Sequence, residues 1–418
     1  MGIILRVTVP QLLEAALASF QAQILPWIAH PNRMPELVAE FPRFKYTMGD
    51  VRRAGEALAT DLIWTDETAE TIRQVFRIAN NWRDSHAYPM SKIRYELSGQ
   101  IRRNKIAGGF TMARLKRMPS VRRKLRAISS HLNQVQDLAG CRAVLPTIED
   151  ANALITSMRH NSLHTLHRED DYIIKPKPDG YRSHHMVFKF RGKGDDEVYN
   201  DRRVEIQIRT RLQHSWATAV EAVGLFRRED MKAGQGNPEW LRLFRLMSSE
   251  FLLIEGCAEA DGERRDRVAE IAALNEQLNA VQTLEDLRQA VMITDNYVFD
   301  PRNKPDYYLI RYDRNSNSVK VDPQYGPMYA VQSYDNAESI DPSATNGRFN
   351  TVLVEVDDIE NLKAAYPNYF GDVELFRNRL IEATGVDPAK FKLEPQPSAP
   401  QRPREKPDFS WLHKWKRW

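Results

Sequence analysis

The stretch that most constrains this chain is Val204-Glu-Ile-Gln-Ile-Arg-Thr210. Val204, Ile206 and Ile208 alternate with Glu205, Gln207 and Arg209, and successive side chains of a strand point to opposite faces. One face of this strand is therefore apolar, and the other carries a carboxylate, an amide and a guanidinium. A half-exposed surface strand alternates in the same way. This one leads directly into Leu212-Gln-His-Ser-Trp-Ala217. A second strand reads from Val135 to Leu145, with Asp137 at its start among apolar neighbours. A carboxylate buried alone there is costly. Its presence is accounted for if it binds Mg²⁺, which favours a few carboxylate oxygens together with substrate phosphates.

Between these strands runs Asp171-Tyr-Ile-Ile-Lys-Pro-Lys-Pro-Asp-Gly-Tyr-Arg-Ser-His-His185. Pro176 and Pro178 stiffen it, and Gly180 allows a sharp turn just before Tyr181. A stiff loop presenting an aromatic face between cations suits a nucleotide, whose base stacks while its phosphates take the charges. A solvated basic hairpin loop is the other reading. Upstream, Arg114 and Lys116 precede Pro119, and Ser120 is placed to cap a helix carrying Arg123, Lys124 and Arg126 in its early turns. A helix start rich in cations attracts phosphate, although a solvated basic helix face is the commoner explanation of such a run.

Gln136-Asp-Leu-Ala-Gly-Cys-Arg-Ala-Val-Leu145, the loop and Val204–Ala217 together, in this order, resemble the synthetase domain of the RelA/SpoT family. Its members move pyrophosphate from ATP to the 3′-hydroxyl of GDP or GTP. The resemblance is continuous from about Arg114 to Trp216 and implies a mixed α/β fold: a nucleotidyltransferase-like mixed sheet flanked by helices. It also implies roles. Arg114, Lys116 and Lys124 would hold ATP phosphates, and Arg142 would face the same cleft, in a phosphate or ion-pair role. Asp137 and Glu205 would hold Mg²⁺, with Glu205 also helping to deprotonate the acceptor hydroxyl. Tyr181 would stack the acceptor base. Lys177 and His185 would contact acceptor phosphate or ribose, and Gln207, Arg209 and His214 would support the cleft. Two features depart from the family's commonest pattern: Asp179 stands where Asn is frequent, and Ser215-Trp-Ala-Thr-Ala-Val-Glu221 follows His214. The second resembles small single-function synthetases, some of them toxins that modify adenine nucleotides or the 3′ end of tRNA. The acceptor is thus open between guanine nucleotides, adenine nucleotides and tRNA. A catalytically silent nucleotide-binding regulator is a further alternative. No His-Asp dipeptide occurs in the chain, so the family's hydrolase activity is not expected.

At 418 residues the chain has room for roughly three domains. With 60 basic and 56 acidic residues its net charge is +4, so local clusters matter more than the total. Two cysteines, far apart, exclude a disulfide framework or zinc ribbon and fit a reducing, cytoplasmic setting. No run approaches the ~18 apolar residues of a membrane span. The expected organisation is a helical region over 1–90, with helices at 11–30, from Met48, and at 66–82, and with Asp50 as an N-cap. The synthetase domain follows over 91–256, then a helical connector over 257–294 and a small α/β domain over 295–392. The latter is expected to regulate the enzyme or bind a partner, with a hairpin over 307–321, a strand at 351–356 and helices at 358–365 and 373–384. Residues 393–418 form a Pro-rich linker and a tail with Trp411, Trp415 and Trp418 among cations. The tail reads either as a docking peptide or as tryptophans packed on the protein itself. The charged helical stretch 262–292 reads either as a coiled arm for self-association or as an ordinary bundle helix, the second being the plainer reading.

Overall fold

The computed structural model describes residues 41–63, 65–127, 131–227, 229–231, 234–257, 262–290, 292–293, 305, 307–313, 316, 318–339, 349–356 and 373–385. The expected helices at 11–30 and 358–365, the linker and the Trp-rich tail lie outside the described residues.

In chain order the first helices are α1 (Met48–Ala59), α2 (Ala69–Asp84) and α3 (Ala87–Arg103). Then come β1 (Phe110–Leu115), α4 (Met118–Ala127), β2 (Ala139–Leu145), α5 (Ile148–Asn161), β3 (Thr165–Asp171), β4 (His184–Lys189) and β5 (Arg203–Thr210). Helices α6 (Arg211–Arg227), α7 (Pro238–Ile254), α8 (Arg264–Leu278) and α9 (Ala280–Ala290) follow. The described chain ends with β6 (Met292–Ile293), β7 (Tyr307–Asp313), β8 (Ser318–Gln324), α10 (Pro327–Ser339), β9 (Phe349–Val356) and α11 (Glu374–Thr384).

Local chemistry explains the first helix. Thr47 is its cap: the Thr47 Oγ1 accepts from the Asp50 amide at 3.2 Å, and the Asp50 carboxylate accepts from the Thr47 amide at 2.9 Å. This reciprocal box satisfies two otherwise orphaned donors. Asp50 is the third residue of the helix and not, as expected, its cap. Further along α1, Gly55 lets the chain pass within contact of Leu132, where an added Cβ would lie 2.7 Å from the Leu132 Cβ. Ile72 on α2 is buried, and Val75, Phe76 and Ile78 pack partly buried on the cluster of Val51, Leu58, Val121, Leu125, Leu132 and Leu138.

The chain divides into two compact units. The first takes residues up to 175, 182–214 and 291–370, and the second 176–181, 215–290 and 371–418. The first unit holds one mixed sheet of nine strands in the order β3-β4-β5-β2-β1-β9-β7-β8-β6. β2 and β5 run parallel, while β1–β2, β4–β5 and β3–β4 are antiparallel. α3 and α5 pack on the sheet beside β1, β2 and β5.

The segment expected to form its own small sheet does not do so. The hairpin of β7 and β8 is present, but β9 pairs antiparallel with β1, aligning Val354 with Arg114 and Val356 with Met112. Strand β1 would otherwise leave its backbone donors and acceptors open along an edge. Two buried ion networks reinforce the join. The Arg94 guanidinium donates to Glu355 at 2.9 Å, and Ser91 donates to the same carboxylate at 2.9 Å. Arg83 pairs with Asp84 and with Asp335 of α10, and lies over the Tyr334 ring.

The second unit is helical among its described residues. Pro238 opens α7 under an Asn237 cap, whose Oδ1 accepts from the Trp240 amide at 2.9 Å. Trp240, Phe244, Phe251 and Phe376 form its aromatic core. Arg267 and Arg264 neutralise the buried Glu250.

Candidate active site

The alternation in β5 is realised: Val204, Ile206 and Ile208 are fully buried, while Glu205 and Gln207 are half-buried on the other face. Strand register places Gly140 beside Glu205, Arg114 beside Gly140, and Arg142 and His185 beside Gln207. One face of β1, β2, β5 and β4 therefore carries Arg114, Arg142, Glu205, Gln207, Arg209 and His185. Gly140 leaves the floor between Arg114 and Glu205 without a side chain; an added Cβ would meet only the Arg114 carbonyl, at 3.9 Å.

Asp137 lies in the turn just before β2, not inside the strand as expected. Lys116, beyond the end of β1, and Lys124 of α4 each place Nζ 2.8 Å from a different oxygen of its carboxylate. Burial acts to raise the pKa of Asp137, but the two ammonium charges outweigh it and hold the carboxyl below its usual range. Helix α4 begins at Met118, so Ser120 lies within it and Lys124 falls in its last turn. Lys124 therefore reaches Asp137 along the helix side, and the expected anion site at the start of that helix is not how it acts. Pro119 is tolerated in the first turn, where its missing N–H is an orphan in any case.

Glu205 is held differently. His185 Nδ1 lies 3.1 Å from its Oε1, and Gln207 Nε2 donates to its Oε2 at 2.8 Å. Arg209 in turn donates to Gln207 Oε1 at 2.8 Å, so one strand carries a hydrogen-bonded row from guanidinium to carboxylate. Burial pushes the Glu205 pKa up, the His185 and Gln207 contacts bring it below the usual value, and Asp137 is near enough for its charge to act against them. The Tyr172 ring packs edge-on against His185, with centroids 5.3 Å apart. His214 is buried in the first turn of α6, which Thr210 and Gln213 close by reciprocal hydrogen bonds.

Lys177, Asp179 and Tyr181 belong to the second unit. There the loop folds back as a tight turn: Gly180 N–H donates to the Lys177 carbonyl at 2.8 Å, and Lys177 N–H to the Tyr181 carbonyl at 3.0 Å. Gly180 has φ +93°, and an added Cβ would lie 3.0 Å from Ser248 and 3.3 Å from Trp216. Asp179 turns one carboxylate oxygen onto the Tyr181 amide at 2.9 Å, so it shapes the loop that presents Tyr181. Lys177 Nζ sits 5.0 Å from the Tyr181 ring centroid, the geometry of a cation–π contact.

The basic run 122–126 separates by role. Arg122 and Arg126 donate to the carbonyls of Leu58 and Thr60 at the end of α1, and Arg126 pairs with Asp61. Among the described residues, no three His, Cys, Asp or Glu side chains converge as a metal cage. A cation held by Asp137 and Glu205 would take its remaining ligands from substrate or water. Mg²⁺ has that habit, binding through one or two carboxylates plus phosphate oxygens.

A region of the chain, residues 113–230, matches the model of the "Region found in RelA / SpoT proteins". Over 168 residues the chain is 30% identical to the GTP pyrophosphokinase YjbM of Bacillus subtilis, covering 38% of this chain and 75% of that protein. Over 217 residues it is 27% identical to the GTP pyrophosphokinase of Escherichia coli K12, covering 50% of this chain but only 24% of that one. The small alarmone synthetase 1 from Bacillus subtilis bound to its product pppGpp aligns at 22% identity over 40% of this chain and 88% of its own, with a TM-score of 0.35. The class is that of the pyrophosphokinase-type transferases named in these matches. The chain belongs to the RelA/SpoT family. Among the described residues no helix is long and apolar enough to cross a membrane.

Proposed function

We propose that this chain is an ATP- and Mg²⁺-dependent pyrophosphokinase that transfers pyrophosphate from ATP to the 3′-hydroxyl of GDP or GTP, without hydrolase activity. The observation carrying this reading is the pair of neighbouring carboxylates, Asp137 saturated by two lysines and Glu205 by His185 and Gln207. A binding module has no need of two such carboxylates beside a row of cations. The curated relatives, named as GTP pyrophosphokinases, support a guanine acceptor.

In this reading Lys116 and Lys124 would turn to the phosphates of ATP, and Asp137 and Glu205 would be the residues that hold Mg²⁺. The metal would neutralise charge across the phosphates during transfer. Arg114 and Arg142 add positive charge on the same face, which suits a reaction governed by positioning and electrostatics. The depressed pKa of Glu205 makes it a weak base, so its ligand role outweighs proton abstraction. Tyr181 stacks the acceptor base, with Lys177 beside its ring. Tyr181→Ala should weaken acceptor binding by about 1–3 kcal/mol, the worth of one stacked base, and leave ATP binding unchanged; titration calorimetry with each nucleotide checks this.

The alternative acceptor, the 3′ end of tRNA, rests on the likeness of the run after His214 to small toxin-type synthetases, and a basic tract at 122–126 free to track an RNA backbone would favour it. Arg122 and Arg126 serve α1 instead, which weakens that reading. The deciding test is label transfer from ATP carrying ³²P in its β-phosphate, with GDP, GTP, ADP or deacylated tRNA offered separately. Label on a guanine nucleotide, lost in Glu205→Gln, is the expected result. Label on tRNA alone would overturn the acceptor, and no transfer to any acceptor would overturn the enzyme.

A further inference from the structure

Glycine in the interior of a helix weakens it, because the chain loses more freedom there and no side chain packs. Gly55 nonetheless stands in the middle of α1, on the buried stripe of Val51, Ala54 and Leu58. The reason is Leu132, whose Cβ would lie 2.7 Å and whose backbone nitrogen 3.0 Å from a Cβ added at position 55. Neither atom can swing aside as the end of a flexible side chain can, so a larger residue here moves the turn Leu132–Gln134 itself. That turn leads into the site. Leu132, Val135 and Leu138 are buried in one cluster with Val51 and Leu58 of α1, and Asp137 stands just before Leu138. The Leu138 carbonyl accepts from the Lys116 amide at 2.8 Å. The same helix holds the element that carries Lys124. Val121 and Leu125 of α4 lie in the cluster, and Arg126 donates at 3.0 Å to the Thr60 carbonyl at the end of α1. Asp137 and Lys124 thus sit on two segments that rest on one helix, and α1 precedes residues 113–230, the part matched by the family.

We propose that α1 is a positioning element of the site and that Gly55 is its positioning residue. By admitting Leu132 it sets how the Asp137 turn meets Lys124, and through that the affinity for ATP with Mg²⁺. This rests on the pyrophosphokinase reading above and adds to it a residue with no chemistry of its own. Lys124 and Asp137 meet at 2.8 Å. A charge-assisted contact of that length depends on where both groups are held. A misplacement of about 1 Å, even one begun far from the chemistry, costs a positioned reaction about a hundredfold in rate. On its other side the turn is tied to β5, where Arg203 donates to the Gln134 carbonyl at 3.1 Å. A push from α1 is met there and is taken up in the segment that leads to Asp137. The loop 171–185, which presents Tyr181, has no residue in the cluster, so acceptor binding stays outside the effect. A glycine that served packing alone would make no such distinction.

The test titrates the full chain calorimetrically with a non-hydrolysable ATP analogue plus Mg²⁺ and, separately, with GDP. In Gly55→Ala the affinity for the analogue should fall about tenfold, the scale of one charge-assisted contact, while that for GDP stays within about twofold. In a Lys124→Met background, Gly55→Ala should add less than about a twofold loss, because residues acting through one contact are not additive. Arg126→Gln loosens α4 from the end of α1 without a clash. It should weaken the analogue about threefold at low and high salt alike, since screening removes a mere charge effect. Equal losses for the analogue and GDP, or no loss for either, overturn the proposal. So do additive losses with Lys124→Met, and a loss in Arg126→Gln that vanishes at high salt. If Gly55→Ala melts far below the parent, Arg126→Gln decides by the same comparison of analogue with GDP. A parent chain that does not bind the analogue with Mg²⁺ removes the pyrophosphokinase reading itself, a result distinct from those.

Discussion

Strands β5 and β7 lie in one sheet, yet they treat their two faces differently. β5 buries alternate residues over its first half and leaves Glu205 and Gln207 partly open, whereas β7 buries Tyr307, Tyr308, Leu309 and Ile310 in succession. Burial on both faces is the mark of a strand covered from both sides, and burial on one leaves a surface for chemistry. The charges differ in the same sense. Around β5 the Asp137 and Glu205 carboxylates are half-buried; around β9 the Arg94–Glu355 pair is only a few per cent exposed. In the proposed reading the first region keeps its charges for binding, whereas the second uses them to hold the chain together.

Substitutions should separate the two regions. Glu205→Gln should lower label transfer by about 10²–10³-fold, the scale of losing a preorganised electrostatic partner. Its melting temperature should move by less than about 3 °C, because the amide still fits the hydrogen-bonding site. Glu355→Ala should do the reverse. It leaves the Arg94 charge buried and unpaired, which costs about 3–5 kcal/mol and would appear as a lower urea midpoint. Transfer per folded molecule should change little. Loss of transfer at unchanged stability in Glu355→Ala would erase the distinction between the regions.

A smaller effect sharpens the structural side. His86 is buried between α2 and α3, its Nδ1–H donating to the Trp82 carbonyl at 2.8 Å. Burial first, then the Arg202 charge, lowers its pKa to about 3. The unfolded histidine takes up a proton near its ordinary value, about 6.5, and the folded one does not. Stability from this group is therefore full above about pH 6.5 and declines as pH falls from there towards 3. Asp137 and Glu205, with lowered values, lose their contributions only at more acidic pH, as they are protonated. Chemical denaturation at pH 7.5 and 5.5 should show a drop that His86→Gln reduces.

Much of the candidate site was legible before any coordinates. The period of two in β5 needs only alternating polarity, and Gly180 needs only the turn chemistry of its loop. Less local features were hidden. Ser120 reads as a cap by residue type, but the helix starts at Met118. Asp50 reads as a cap until Thr47 is seen to complete its box. Asp179 invites a ligand role, whereas one of its oxygens is committed to the Tyr181 amide.

The sequence by itself determined which faces are apolar, where the turns fall and which charged residues are available, because these depend on neighbours a few positions away. Only the tertiary structure decided that β9 closes the edge of β1, that Lys116 and Lys124 converge on Asp137, and that Gly55 admits Leu132. Each joins segments distant in the chain. A strand's pattern specifies its own two faces, but its edges accept any partner whose backbone can reach. The choice among partners lies in the packing and ion pairs formed after they meet.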